Sequence, residues 1–338
     1  MLLGLSFDWN CDSATSNLDS LSDARYFRFV MESRQIGKDG PQVSVIGFGA
    51  WPIGGGMGNV TDDQAIEAVR TAVDSGQTFL DTAESYYVSQ ERVGKALAKG
   101  DYRERTFLAT KVSGNYTREH ILQAMDNNLR ALQTDHVDLF QIHAPDTPPP
   151  VEEQMEVMLE LQQQGKTRFI GVSNYTVEHL EAAWKAGPFQ TNQPCYNMFD
   201  RTIEKTILPW CREHGVSTLV HSPLGKGLLS GRYYPGYEFP KDDERSTFAH
   251  FHGKGFARTC AKAENLKALA ERRGLTLPQL AIGWTLRLPE VVVCLVGAKT
   301  NDQVLQNNGG QGWTLTNEEL EEIEGILADG SESVVGLK

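Results

Sequence analysis

Three apolar, strand-like runs that follow one another in the sequence each end in an ionisable side chain: Asp81, Lys111 and His143. Tyr86 follows the first of these ends by five residues. A carboxylate at the mouth of a buried strand is costly to desolvate and needs a cationic partner, which Lys111 could supply. Together the four side chains form a set that could transfer a proton, with Tyr87 competing for the part of the tyrosine.

The elements that must position these side chains are strands. Eight apolar runs of strand length alternate with helix-like patterns, several of which open on a Thr or Asp cap. This alternation predicts an α/β fold with a parallel sheet, and eight such strands close naturally into a (β/α)8 TIM barrel. The predicted strands are 45–48, 78–81, 106–111, 137–143, 168–173, 190–193, 217–221 and 291–296.

Two further segments belong to the predicted barrel. Residues 31–46 carry Gly37 and Asp39-Gly40 between short alternating runs, which predicts an N-terminal β-hairpin that plugs one end of the barrel. A long loop after strand seven, residues 222–256, is a candidate lid because structureless loops of this length are usually functional or disordered. The predicted helices are 62–74, 117–132, 151–164, 177–186, 202–214, 257–273, 277–286, 302–306 and 317–328.

The net charge of the chain is −12 over 338 residues, and Lys and Arg form no cluster. This composition argues against a nucleic-acid partner, because a phosphate backbone requires clustered cations. No segment approaches the roughly 20 apolar residues that span a bilayer, and the first residues lack the positive flank of a signal peptide. We therefore expect no membrane partner and a cytoplasmic location. The five cysteines lack C-x-x-C spacing, which fits reduced thiols.

We divide the chain into a poorly ordered extension (residues 1–30), a single barrel domain (31–330) and a C-terminal tail (331–338). The extension is rich in Ser and Asp and shows no sustained periodicity, and Met31 would also be a natural start of translation. No internal repeat or linker indicates a second domain.

Six consecutive predicted strands end in polar or ionisable side chains. In a (β/α)8 barrel the active site forms at the carboxyl ends of the strands, so these side chains should meet. Each of them alone has an ordinary explanation as a solvated loop residue or a satisfied core residue, but their joint arrangement indicates an active site. The residues are Asp81, Lys111, His143, Ser173 with Asn174, Gln193, and His221 with Ser222.

Over about residues 31–328 the chain resembles the aldo-keto reductases. Several independent motifs stand in the order that the family has, which makes the resemblance far more specific than any single motif. These motifs are Gly47-Phe48-Gly49-Ala50-Trp51, Asp81-Thr82-Ala83-Glu84-Ser85-Tyr86, Ala109-Thr110-Lys111, Asp138-Leu139-Phe140-Gln141-Ile142-His143, Ile170-Gly171-Val172-Ser173-Asn174 and Gly297-Ala298-Lys299.

The resemblance implies reduction of an aldehyde or ketone with NADPH, and the residues themselves predict no metal site. Lys111, held by Asp81, would lower the pKa of Tyr86, and His143 would orient the carbonyl oxygen that Tyr86 protonates. The partner would be a small-molecule carbonyl compound. We expect the pocket for it to be shaped by aromatic residues, namely Trp51, Tyr233, Tyr234, Tyr237 and Phe239.

The resemblance also implies a set of cofactor contacts. Lys299 favours NADPH over NADH, because a 2′-phosphate needs a cation. His221 stands where the family usually has an aromatic side chain under the nicotinamide, and residues 87–91 replace the family's usual glycine-rich segment. The implied contacts are Ser173, Asn174 and Gln193 to the carboxamide, Ser222, Leu224 and Gly227 to the pyrophosphate, and Gly297, Lys299, Gln303 and Asn307 to the adenosine and its phosphate.

Other functions stay open at this point. A nicotinamide-binding regulatory or redox-sensing subunit, like the potassium-channel β subunits of similar sequence, would keep the four residues with little or no turnover. A sugar-phosphate barrel without nicotinamide would bind no NADPH. Three competing motifs are incomplete: Gly47-x-Gly49 lacks the third Rossmann glycine, Gly171-x-Ser173 lacks the glycine of a nucleophile elbow, and His250-x-His252 lacks further metal ligands.

Overall fold

The structure, a computed structural model, describes residues 30–145 and 148–328. Its strands β3 to β10 are parallel and close a barrel in the order β10-β3-β4-β5-β6-β7-β8-β9, which confirms the predicted (β/α)8 TIM barrel. The strands are β1 (Ser33–Gln35), β2 (Gln42–Ser44), β3 (Ile46–Gly49), β4 (Phe79–Asp81), β5 (Phe107–Val112), β6 (Val137–Ile142), β7 (Thr167–Ser173), β8 (Thr191–Gln193), β9 (Ser217–Val220) and β10 (Val291–Gly297).

The helices surround this barrel. Those that the sequence predicts are present, except that 202–214 divides into a 3-10 turn (Thr202–Lys205) and a helix. Pro209 explains the division, because its ring would clash with the carbonyl of Lys205 in a continuous helix. The helices are α1 (Asp62–Asp74), α2 (Ser89–Leu97), α3 (Arg118–Leu132), α4 (Val151–Gln163), α5 (Val177–Ala186), α6 (Ile207–His214), α7 (Gly253–Arg272), α8 (Leu277–Leu286), α9 (Asn301–Asn308) and α10 (Asn317–Ala328).

Helix α2 is absent from the sequence prediction. It has no side-chain cap at its N-terminus, and Gly94 interrupts its interior, so two usual helix signals are missing. The glycine is required by packing, because a Cβ at residue 94 would lie 2.4 Å from the carbonyl oxygen of Ala131 in α3. Close packing against α3 therefore explains why a glycine stands at residue 94, and this glycine is one reason why the sequence does not predict α2.

The N-terminal hairpin is confirmed and closes the amino end of the barrel. Strands β1 and β2 pair antiparallel, with Ser33 opposite Ser44. Ile36 is fully buried at the turn. The guanidinium of Arg34 donates to the carbonyl oxygens of Leu286 (2.8 Å) and Leu288 (3.0 Å), just ahead of β10. The hairpin thus closes the end of the barrel opposite the cavity at the carboxyl ends of the strands.

Side-chain alternation along the strands gives the barrel an apolar half and a polar half. Successive side chains of a strand point to opposite faces, so every second residue points into the barrel. The inward residues near the amino ends belong to one apolar cluster, and the same faces continue into polar residues at the carboxyl ends. In β4, β5 and β6 the inward series are Phe79 and Asp81; Phe107, Ala109 and Lys111; and Leu139 and Gln141 followed by His143.

The loop after strand seven of the barrel crosses the open end. It contains three 3-10 turns, Gly225–Ser230, Glu244–Thr247 and Ala249–Phe251, and leads into α7. The amide of Glu244 donates to the carbonyl oxygen of Gly56 (3.2 Å), and Met57 forms a bridge with Asp243. The loop thus contacts the segment after β3, while its movement as a lid stays a prediction.

The predicted extension (apart from Val30) and the predicted tail lie outside the described residues, so the domain boundaries stay predictions. Over the described ranges, no helix combines the length and apolarity needed to cross a membrane.

Candidate active site

A cavity of about 770 Å³ opens at the carboxyl end of the barrel, which lies within the usual size range of small-molecule sites. Residues at or just beyond the ends of all eight barrel strands line it. They include Trp51 after β3, Tyr86 after β4, Ser113 after β5, His143 after β6, Asn174 after β7, Gln193 in β8, His221 after β9 and Lys299 after β10.

Asp81, Lys111 and Tyr86 form one buried hydrogen-bonded group. The ammonium of Lys111 has no exposed surface and lies 2.5 Å from Oδ1 of Asp81 and 3.4 Å from the hydroxyl of Tyr86. The other carboxylate oxygen of Asp81 accepts from Nε2 of Gln193 (3.0 Å) and of Gln141 (3.4 Å). Every polar atom of the carboxylate is therefore satisfied, which offsets the cost of burying it.

The charges in this group differ from expectation in one respect. Burial acts to lower the pKa of Lys111, but Asp81 and Tyr86 outweigh burial, so the net pKa is raised and the side chain stays charged. Lys111 acts to lower the pKa of Tyr86, as expected, but burial raises that pKa by more, so its net shift is upward. Tyr86 is therefore a protonated phenol at neutral pH. It accepts from Lys111 and keeps its own hydrogen for another acceptor.

His143 stands beside Tyr86, with the two rings edge to face and their centroids 5.5 Å apart. Its backbone amide donates to the carbonyl oxygen of Val112 (3.1 Å), which fixes it against β5. Nδ1 lies 2.7 Å from the hydroxyl oxygen of Ser113. Burial, followed by the charges of Lys111 and His221, holds the pKa of His143 well below its usual range. The imidazole is therefore neutral at physiological pH.

The neighbouring tyrosine does not share this environment. The side chain of Tyr87 is 67% exposed, and its backbone φ is +50°, in the left-handed region. Of the two tyrosines, Tyr86 is thus the one in the buried group with Lys111.

Ten of the eleven predicted cofactor residues line the cavity: Asn174, Gln193, His221, Ser222, Leu224, Gly227, Gly297, Lys299, Gln303 and Asn307. Ser173 is the exception. It is fully buried, its hydroxyl donates to the carbonyl oxygen of Gln193 (2.8 Å), and it accepts from Nδ2 of Asn174 (3.2 Å). Ser173 therefore orients Asn174 from behind the cavity wall.

Both ring nitrogens of His221 have partners. Nε2 lies 2.9 Å from Oδ1 of Asn174, and Nδ1 lies 3.0 Å from the hydroxyl of Ser222. Because the amide oxygen can only accept, Nε2 carries the hydrogen and Nδ1 accepts from Ser222. Burial, together with the charges of Lys111 and Lys226, lowers the pKa of His221 to about 3.

This lowered pKa predicts an acid-dependent loss of stability. The unfolded chain takes up a proton on His221 below about pH 6.5 while the folded chain does not, so stability falls as the pH drops through this window. We expect this site to cost about 2 kcal/mol between pH 6.5 and 4.5. His221→Phe should therefore be less stable than wild type at pH 7 but lose less on acidification. Urea unfolding at both pH values measures this, and an equal loss in both proteins would contradict it.

The cavity also contains residues that the sequence analysis did not assign: Ser113, Lys226, Arg232 and Arg245. The last three belong to the loop after strand seven, which was expected to cover the cofactor, so its basic residues were an available signal. Ser113 lies two residues beyond Lys111, at a strand end that was already singled out. Ser113 was missed because only Lys111 was assigned at the end of that strand.

The aromatic residues of the loop only partly follow expectation. Tyr233 lines the cavity, and Trp51 does so beside Tyr86, with ring centroids 4.7 Å apart. Tyr237 and Phe239 pack against Tyr233 instead, with centroids 4.8 and 4.9 Å from its ring. Tyr234 is 61% exposed. Tyr234, Tyr237 and Phe239, which were expected to shape the pocket, thus do not line the cavity, whereas Trp51 and Tyr233 do.

The cavity carries excess positive charge. Arg245 pairs with Asp243 (2.5 Å), but Lys226, Arg232 and Lys299 form no ion pair within the described part of the chain. Lys299 donates instead to the carbonyl oxygen of Met57, and burial, then the charge of Arg245, lowers its pKa. Cations in such surroundings are stabilised by a bound anion, so the donor set fits a phosphate-bearing cofactor.

The described residues also show whether side chains that bind metals lie close together. Across residues 30–145 and 148–328, no set of three or more His, Cys, Asp and Glu side chains could hold a metal ion.

Comparison with known proteins places this geometry in a family. The sequence model of the Aldo/keto reductase family matches residues 45–328. Aldo-keto reductase YhdN of Bacillus subtilis is 37% identical, over 90% of this chain and 96% of its own length. A probable voltage-gated potassium channel subunit beta of Arabidopsis thaliana is 32% identical, over 82% and 90%.

Solved structures agree. An aldo-keto reductase from Klebsiella pneumoniae, solved in complex with NADPH, superposes with a TM-score of 0.72 at 28% identity, over 90% of this chain and 98% of that one. The chain therefore belongs to the aldo/keto reductase family.

Proposed function

We propose that the protein reduces an aldehyde or ketone to the alcohol with NADPH, and that Tyr86 supplies the proton. The observation that carries this proposal is the buried Asp81-Lys111-Tyr86 group, which presents a phenol hydrogen to the cavity beside a neutral imidazole. Bound NADPH would supply the hydride, and the side chains of the protein supply the rest.

The side chains act on the carbonyl oxygen. As negative charge develops there, Tyr86 donates its proton, and the ammonium of Lys111 stabilises the phenolate that is left. Asp81 keeps Lys111 in reach of the hydroxyl. His143 donates a hydrogen bond to the same oxygen from its free ring edge and so orients the carbonyl.

The residues that would hold the cofactor follow from the lining of the cavity. Asn174 and Gln193 would offer amide groups to the nicotinamide, and Lys226 with the turn from Ser222 to Gly227 would face the pyrophosphate. Lys299 and Arg232 are the cations available to a 2′-phosphate. The NADPH bound to the Klebsiella relative supports NADPH as the cofactor.

Lys299→Ala should weaken NADPH binding by about tenfold or more and leave NADH nearly unchanged, because NADH lacks the phosphate that the ammonium contacts. Fluorescence titration with both cofactors measures this. Lys241→Ala is the matched control, since it removes the same charge from an exposed position in the same loop. Equal losses for both cofactors would remove Lys299 from the phosphate site.

The function itself is tested by NADPH oxidation over a panel of aldehydes, ketosteroids, sugars and quinones. Turnover of one class that is lost in Tyr86→Phe supports the proposal. Tight NADPH binding without turnover of any carbonyl would overturn it and favour a regulatory or redox-sensing subunit, a possibility that the similarity to a plant channel subunit supports.

A further inference from the structure

The hydrogen-bond partner of Nδ1 in His143 decides which ring nitrogen can face the substrate with a hydrogen. A neutral imidazole carries one hydrogen, and the group bonded to one ring nitrogen decides which nitrogen carries it. To donate to a carbonyl oxygen from Nε2, His143 must accept at Nδ1. A carboxylate or a backbone carbonyl at Nδ1 could only accept and would therefore put the hydrogen on the wrong nitrogen.

The partners of Nδ1 are both hydroxyls. Ser113 Oγ lies at 2.7 Å, and Ser85 Oγ lies at 3.4 Å. A hydroxyl can donate, so this arrangement allows the hydrogen to sit on Nε2. Of the two contacts, only the one with Ser113 lies at the usual distance of a hydrogen bond. Nε2 of His143 has no partner within the described part of the chain, and His143 lines the cavity.

Ser113 is itself fixed in place. Its backbone amide donates to Oε2 of Glu84 (2.9 Å), and the amide of Glu84 donates to the carbonyl oxygen of Lys111 (3.0 Å). Nε2 of His120 also contacts the Glu84 carboxylate, 3.3 Å from Oε1 and 3.4 Å from Oε2. Hydrogen bonds through Glu84 thus fix the backbone of Ser113, and with it the hydroxyl, next to Lys111 in β5.

We propose that Ser113 is a positioning residue whose hydroxyl donates to Nδ1 of His143 and so fixes the imidazole with its hydrogen on Nε2, toward the substrate oxygen. The inference rests on the proposed carbonyl reduction. It deepens that reaction by naming the group that decides how His143 is protonated.

The proposal predicts a loss of turnover in Ser113→Ala. We expect kcat to fall about tenfold, the worth of one hydrogen bond to a reacting group, with the NADPH dissociation constant unchanged. Ser113→Thr keeps the hydroxyl and should restore kcat to within about threefold of wild type. Ser85→Ala, which removes the more distant hydroxyl at the same nitrogen, is the matched control and should change kcat less than Ser113→Ala.

The tautomer of His143 should change in Ser113→Ala only if the Ser113 hydroxyl positions the imidazole. A purely structural role of Ser113 would leave the tautomer unchanged. The tautomer can be measured by nitrogen-15 NMR of the protein with labelled histidines and bound NADPH, and the His143→Gln variant assigns the signals. We expect the hydrogen on Nε2 in wild type and in Ser113→Thr. In Ser113→Ala we expect a mixture of the two tautomers. A hydrogen on Nδ1 in wild type overturns the proposal, as does a Ser113→Ala variant with wild-type kcat. If wild type reduces no carbonyl, the proposed function fails, whereas the NMR measurement still decides how Ser113 and His143 are bonded.

Discussion

Tyr86→Phe should lower kcat for carbonyl reduction by about 10²- to 10⁴-fold, the usual contribution of a positioned general acid. The variant loses only the hydroxyl that accepts from Lys111 at 3.4 Å and faces the cavity. Phenylalanine keeps the ring and its edge-to-face contacts with Trp51 and His143. The fold and the cofactor site should therefore survive, and the NADPH dissociation constant should change by less than about threefold, under 1 kcal/mol.

Single-turnover measurements with saturating NADPH isolate the proton-transfer and hydride-transfer chemistry from product release. Tyr87→Phe is the matched control, because it removes the same hydroxyl from the next residue, whose side chain is 67% exposed. That control should keep wild-type kcat. A Tyr86→Phe variant with near-normal kcat, or a Tyr87→Phe variant that loses it, would remove Tyr86 from the role of proton donor.

The strand ends were predictable because they follow from local rules. Alternation in β5 places Phe107, Ala109 and Lys111 on one face, so an apolar core must give way to a polar rim as the strand leaves the barrel. The same rule, applied to eight strands of one sheet, brings distant residues to one edge. Barrel closure and the site at its carboxyl end were therefore accessible to sequence reasoning.

What sequence could not provide is the outcome of competing effects in three dimensions. The sign of the pKa shift of Tyr86 depends on whether burial or the charge of Lys111 dominates, and only coordinates weigh the two. The contact of Trp51 Nε1 with Glu244 (3.1 Å) joins residues 193 positions apart through a loop without a repeating pattern. The partner of Nδ1 in His143 is likewise a matter of side-chain geometry, since Ser113 and Ser85 both follow strand ends.

Lys111→Met should abolish turnover and also destabilise the protein, and the two effects can be separated. The ammonium that stabilises the Tyr86 phenolate is gone, so kcat should fall by at least about 10²-fold. Asp81 is left as an unpaired carboxylate that is 3% exposed. Removing one member of a buried ion pair typically costs about 3–5 kcal/mol, which urea unfolding would detect.

Lys111→Met combined with Asp81→Asn is the control that separates the roles. The neutral amide can still accept from Gln193 and Gln141, the hydrogen bonds that now hold the carboxylate, and no buried charge is left unpaired. Replacing both members of a buried pair is often nearly neutral for stability, so most of the lost stability should return. Turnover should not return, because no positive charge faces the Tyr86 hydroxyl in either variant. A double variant that regains turnover would show that the ammonium serves the fold and that catalysis does not require it.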